Sequence, residues 1–193
     1  MTRILFTLAS LSLILLATAL LVGLSIGDLS APRPSDETLA WATVHRLTGI
    51  IAALAVVFVE SVVITYFIGT SRWCKEVVET YHLDPSAVRA TNRLKRRTFP
   101  WALAGMLTVV GIIALGGAAD TTVPPVRESW ANWHLVGSIT GILLIAWTYV
   151  VAWNNIFLNH KIIADLVGEA SRIRRERGLQ DGGSATPGTR AAS

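Results

Sequence analysis

Four apolar runs dominate the chain, at residues 4–26, 39–68, 99–118 and 130–158. Each is long enough to cross a bilayer, which takes about 20 residues. Charged side chains are nearly missing inside the runs, while Lys and Arg gather between and after them. A backbone in hydrocarbon must satisfy its own N–H and C=O groups, so such runs become helices. The expected fold is all-α, an integral membrane four-helix bundle built from two tandem helical hairpins. Its first partner is the lipid bilayer. The transmembrane domain is expected over residues 1–180, with a cytoplasmic helical loop at 72–97 and an amphipathic tail at 159–180. Residues 181–193 are rich in Gly, Ser, Ala, Pro and Thr and are expected to be disordered.

Hydrophobic residues make up 52% of the chain and charged ones only 16%, a balance outside the usual soluble range. The first run contains Ala17-Thr18-Ala19, which resembles a signal-peptidase site. Its apolar stretch continues well past that point, so it reads as a retained helix. Arg72, Lys75, Arg89, Arg93, Lys95, Arg96 and Arg97 lie between runs two and three, and Lys161, Arg172, Arg174, Arg175, Arg177 and Arg190 follow run four. The other two loops hold Arg33 and Arg127. The positive-inside rule puts both termini and the middle loop in the cytoplasm, and the expected location is a bacterial plasma membrane. These basic segments face anionic lipid; no aromatic-basic interleaving suggests nucleic-acid binding.

The two return helices open alike. Trp41-Ala42-Thr43-Val44-His45 and Trp130-Ala131-Asn132-Trp133-His134 share Trp, Ala and His at the same spacing, and both anchors recur 89 positions later, 41 to 130 and 45 to 134. This points to an internal repeat. Each outgoing helix ends in an aspartate, Asp28 or Asp120, and a Pro-bearing loop follows, with Pro32 and Pro34 in one and Pro124 and Pro125 in the other. Histidine is costly in a membrane, and two at equal depth suggest a shared task. Counted from the apolar runs, both imidazoles lie roughly 6–9 Å inside the outer boundary. Facing helices of a bundle hold cofactors between them, and haem iron takes two axial ligands on opposite sides of a plane. His45 and His134 are therefore the candidate ligands of one haem b; the other reading is a pair of interfacial histidines stabilised by headgroups and water. Gly49, Ala52, Gly137, Ser138, Gly141, Gly116 and Gly117 are small residues that would give a macrocycle room. With one cysteine, Cys74, the chain has no internal disulfide, no thiolate zinc cluster and no Cys-x-x-Cys-His attachment, so the haem would be non-covalent.

His45-Arg46-Leu47-Thr48-Gly49 resembles the His-Arg signature of the haem A synthase family. Those proteins have eight membrane helices in two similar halves, with histidines on the second and fourth helix of each half that can face a haem. The resemblance implies one such half standing alone, with His45 and His134 in those roles. The family's catalytic half has an acidic residue one turn before its second-helix histidine, where this chain has Trp41 and Ala42. The outer-loop cysteine pair of some members is missing, and Leu135 rather than arginine follows His134. What carries over is the haem-binding scaffold, not haem A synthesis.

Arg46 has two readings, a bidentate contact to a haem propionate or a side chain snorkelling to the interface. Glu60 is the second intramembrane anomaly. It lies fifteen residues after His45, on a broadly shared face but about 22 Å away along the axis. It reads as a proton-transfer group, a quinone contact, a partner of Asn154 or Asn155, or a neutral carboxyl bonded to a neighbouring helix. His82 and His160 fall in cytoplasmic segments and read as solvated. Met106 alone makes no copper pathway, and no phosphate loop, nucleophile elbow or metalloprotease motif occurs.

With no catalytic motif, the expected function is that of a b-type cytochrome-like protein transferring electrons, with a quinone or redox protein as partner. The alternative is a non-catalytic subunit or assembly factor of a larger membrane complex. A transporter using Glu60 is the third reading.

Overall fold

The computed structural model describes residues 1–29, 31, 33–120 and 129–178. Pro32, Pro124, Pro125, Arg127 and the tail at 181–193 lie outside the described residues. Four helices follow in order: α1 Thr2–Leu24, α2 Asp36–Tyr81, α3 Ser86–Ala118 and α4 Ser129–Glu176. All regular structure among the described residues is helical, and all four helices are long and apolar enough to cross a membrane.

Cross-helix contacts define an antiparallel bundle. Gly23 near the end of α1 meets His45 near the start of α2, and Gly116 near the end of α3 meets His134 near the start of α4. Arg46 reaches Asp120, just beyond α3. Each helix packs on its chain neighbour, α1 closes against α4, and α2 and α4 also touch. One end of the bundle thus carries the histidines. The other carries Met1, the α2–α3 turn and Glu176, and is called the turn end below.

The bundle's surface identifies its solvent. Ile14, Leu54, Leu107 and Leu143, one from each helix, are all more than 60% exposed. Lipid accepts such a belt and water does not. Inside, Leu5, Leu16, Val56, Val63, Phe67, Val109, Ile145 and Ile156 form one core through all four helices. Where lipid surrounds the helices, this core is held by close packing and hydrogen bonds rather than by escape from water.

Helices α2 and α4 have 46 and 48 residues. At 1.5 Å per residue each is about 70 Å long, over twice the hydrocarbon thickness. The segment at 72–97, expected as a helical loop, is the direct continuation of α2 and the first turns of α3. Residues 70–82 contain neither Gly nor Pro, so nothing breaks α2 at the membrane boundary. It stops at His82, whose φ of 54° is left-handed. Asp84 then accepts the Ser86 amide and starts α3. The apolar positions in this stretch face one another. Cys74, Val78, Leu83 and Leu166 form a second core, flanked by Val77, Tyr81, Ala87, Val88, Ile163 and Ile173. This is a helical stalk whose burial is measured against water, so each large side chain contributes about 1.5–3 kcal/mol. The amphipathic continuation of α4 through Leu166 and Ile173 is its third strand of support.

Candidate functional site

Ser35 starts α2 by accepting the Thr38 amide, and Asp36 and Glu37 oppose the helix dipole in the first turn. This places His45 on the inward face of α2, half-buried. His134 occupies the matching place on α4. Their rings meet edge to face, with centroids 6.0 Å apart and planes 79° apart.

Each imidazole has a seat on an adjoining helix. A Cβ added to Gly23 would lie 2.8 Å from His45 Cε1, and one added to Gly116 would lie 3.0 Å from His134 Cε1. His45 Nδ1 is 2.9 Å from the Ala19 carbonyl, four residues before Gly23. A carbonyl only accepts, so a neutral His45 carries its proton on Nδ1 and leaves the Nε2 lone pair free. The Ile112 backbone, four residues before Gly116, acts on His134 from the corresponding position. That contact falls short of a closed hydrogen bond, and the buried His134 Nδ1 has no partner. The order across the bundle is thus glycine, histidine, histidine, glycine, drawn from α1, α2, α4 and α3.

The chemistry of this set is narrow. Among the described residues no group of three or more His, Cys, Asp or Glu could hold a metal ion. Two imidazoles leave a bare ion short of ligands, whereas haem iron brings four nitrogens and needs two more. Two imidazoles on one iron, with metal–nitrogen bonds of about 2 Å, have centroids about 6 Å apart. The 6.0 Å ring separation matches that distance, while both rings turn the edge that carries Nδ1, Cε1 and Nε2 towards their glycine seats, with Nε2 3.6 Å and 3.5 Å from a Cβ added there.

Other residues singled out from sequence fall in different places. Arg46 Nη1 forms a 3.1 Å ion pair with Asp120. Gly137 and Gly141 do not open space beside His134. Cβ atoms there would lie 2.6 Å from Leu115 and Ile112 of α3, so this Gly-x-x-x-Gly pair serves helix packing. Gly49 and Gly117 have nothing near them, and Ala52 is fully buried in the core. Trp41 and Trp133 point outward, as interfacial anchors do. His82 caps α2, and His160 is exposed.

Glu60 lies apart from the histidines, fully buried in mid-bundle. Its partner is neither Asn154 nor Asn155. Its Oε1 is 2.6 Å from the Thr148 hydroxyl on α4. Gly105 of α3 makes the space, since a Cβ there would lie 2.5 Å from Oε1. Towards the turn end follow Asn155 on Thr98 at 2.9 Å, and Asn159 on Tyr66 and Thr70 at 3.1 Å, with Thr91 donating to Asn159. At the level of Glu60 the Tyr149 hydroxyl pairs with Ser12 of α1 at 2.9 Å. The sequence reading missed Gly23, Ala19, Thr148 and this row. The seven-residue spacing of Thr91 and Thr98, opposite Asn155 and Asn159, was the available signal.

Comparison with family models, with curated proteins and with solved structures finds no match for this chain.

Proposed function

We propose that this protein is a b-type cytochrome-like electron carrier of the membrane, holding one haem b between α2 and α4 with His45 and His134 as axial ligands. The proposal includes two tandem hairpins related by an internal repeat, and a scaffold like one half of the haem A synthase family. It also includes a bacterial plasma membrane with both termini on the cytoplasmic side. The observation that supports it is the matched pair of seats: each imidazole rests on a glycine of an adjoining helix, and the two rings stand 6.0 Å apart.

When bound, haem supplies a one-electron couple, and two histidine ligands favour electron transfer over oxygen chemistry. The protein's own groups hold and orient. The Ala19 carbonyl accepts from His45 Nδ1 and so fixes the tautomer that leaves Nε2 for a metal, as the hydrogen-bond partners of metal-binding histidines do. Arg46 has five N–H donors, of which Asp120 takes Nη1, and the others are suited to a propionate. Trp41 and Trp130, the paired tryptophans of the two motifs, set the depth of the layer in the bilayer. The implied partners are a quinone or a redox protein.

An oxidised-minus-reduced absorption spectrum of protein made with ample haem tests this. Sharp visible bands are expected on reduction, and they vanish in the His45→Ala/His134→Ala double variant. A colourless protein, or bands that survive the double substitution, would overturn the assignment. The helical stalk favours a second reading, a non-catalytic subunit or assembly factor of a larger complex. Its surface carries exposed Arg72, Lys75, Arg93, Arg96 and Arg97 on a folded core outside the spans. Co-purification of colourless protein with other membrane subunits would support it.

A further inference from the structure

Glu60 is the one Asp, Glu, Lys or Arg of α2 between Arg46 and Arg72. The facing stretches of the other helices, residues 4–24, 98–118 and 135–159, contain no such residue. A carboxyl alone in this position is expensive to keep charged and marks an intramembrane site. Its surroundings bear on its proton. The Thr148 hydroxyl is 2.6 Å from Glu60 Oε1 and 2.7 Å from the Ile145 carbonyl. A hydroxyl has one proton to give, and a carbonyl can only accept. Both contacts are hydrogen bonds when Glu60 is a neutral acid that donates to Thr148 while Thr148 donates to Ile145. When Glu60 is a carboxylate, Thr148 must turn its proton to Glu60 and release Ile145. Glu60 Oε2 is buried without a partner, so one oxygen stays open to a further donor.

The buried polar side chains lie mostly on one side of Glu60. Between Glu60 and the histidines the interior is closed by Ala52, Ala53, Val56, Val109 and Ile145, with Ser138 as the buried polar side chain there. Between Glu60 and the turn end it holds Thr98, Asn155, Thr91, Asn159, Tyr66 and Thr70, set among the buried apolar Val63, Phe67, Leu94 and Ile156. The longest step runs from Thr148 to Asn155, two helical turns or about 10 Å. Ala152 and Ala102, both small and buried, lie at that level of α4 and α3. The titratable group facing Glu60 is Tyr149 of α4; α1 presents Ser12 and α3 presents Gly105.

We propose that Glu60 is a proton-exchange site in the middle of the membrane, loaded and unloaded from the turn end along this polar row. The step is a proton transfer alone: the carboxylate takes a proton from water at the turn end, and Thr148 turns its hydroxyl back to Ile145. It is independent of haem binding.

Infrared spectroscopy of the full chain in sealed lipid vesicles tests it, with one orientation selected by capture of the tail. The readout is the C=O stretch of a protonated carboxylic acid that disappears in Glu60→Gln. The band is expected to be lost when the pH is raised on the turn-end side and to hold when it is raised on the other side. Ala152→Leu fills the long step without touching a polar group, and it should keep the band but remove its response. A band that follows the pH of the histidine side, or both sides equally, overturns the proposal. So does a band that responds to neither side, and so does its absence in the unaltered chain. Ala102→Leu repeats the test on α3 should Ala152→Leu fail to fold.

Discussion

His45 and His134 come from positions 89 apart in the chain, yet their ring centroids stand 6.0 Å apart, each ring with a glycine behind it. The backing glycines are not 89 apart. Gly23 and Gly116 are 93 apart, so the connection to the histidine is four residues shorter in the second half. Four residues are about one helical turn, so the offset leaves the seats in phase.

Gly23→Val and Gly116→Val follow from this contact. A Cβ at either position falls within 3.0 Å of an imidazole carbon, so the ring must leave its seat. Overpacking of this kind costs about 1–3 kcal/mol. Both variants are expected to lower the melting temperature in detergent and to reduce haem content under the proposed function. Gly49→Ala is the control, since nothing lies near that position, and it should melt like the unaltered chain.

Thr148→Val leaves Glu60 Oε1 without its hydroxyl partner inside the bundle. An unsatisfied buried group costs about 1–3 kcal/mol, whereas removing both partners can be nearly neutral. The expected order of stability by thermal unfolding is therefore Glu60→Leu/Thr148→Val above Thr148→Val alone. The reverse order would show that the carboxyl does not depend on Thr148.

The four spans were legible in the sequence because hydrocarbon imposes one secondary structure on any long apolar run. The pairing of His45 with His134 was legible because both follow the same Trp-Ala anchor. The partner of Glu60 was not, since threonine is common in membrane helices and nothing in a lone Thr148 marks its direction. Nor was the stalk, because Val77, Val78 and Tyr81 show one apolar face whether that face meets lipid or protein. Only the unbroken run of α2 past the membrane boundary decides between them. Arg46 was read against a ligand and the interface, while its ion-pair partner Asp120 lay 74 residues away.

Asn159 ties three helices through Thr91, Tyr66 and Thr70. Asn159→Leu keeps the branched heavy-atom shape and removes the partner of the buried Thr91 hydroxyl, at about 1–3 kcal/mol, together with the bonds to the part-buried Tyr66 and Thr70. A loss larger than that of Thr148→Val is expected in thermal unfolding. Asn154→Leu, at an exposed position, should change little. Equal effects of the two would contradict the row of contacts.

Asp84 gives the stalk a dependence on acid. Its side chain accepts the Ser86 hydrogen bonds that start α3, and Arg89 stands 3.5 Å away, so its carboxyl is held below the usual aspartate value. A depressed folded value stabilises the charged form of the folded state. The contribution is fully present above the unfolded value of about 3.9. It is lost as pH falls through the lower folded value. Because the group is fully exposed, the effect is small and screened by salt. Melting curves at several pH values should show Asp84→Ala less stable than the unaltered chain at neutral pH, with the difference shrinking as the pH falls below about 4. A difference that stays constant into strong acid would place the role of Asp84 in packing rather than in its charge.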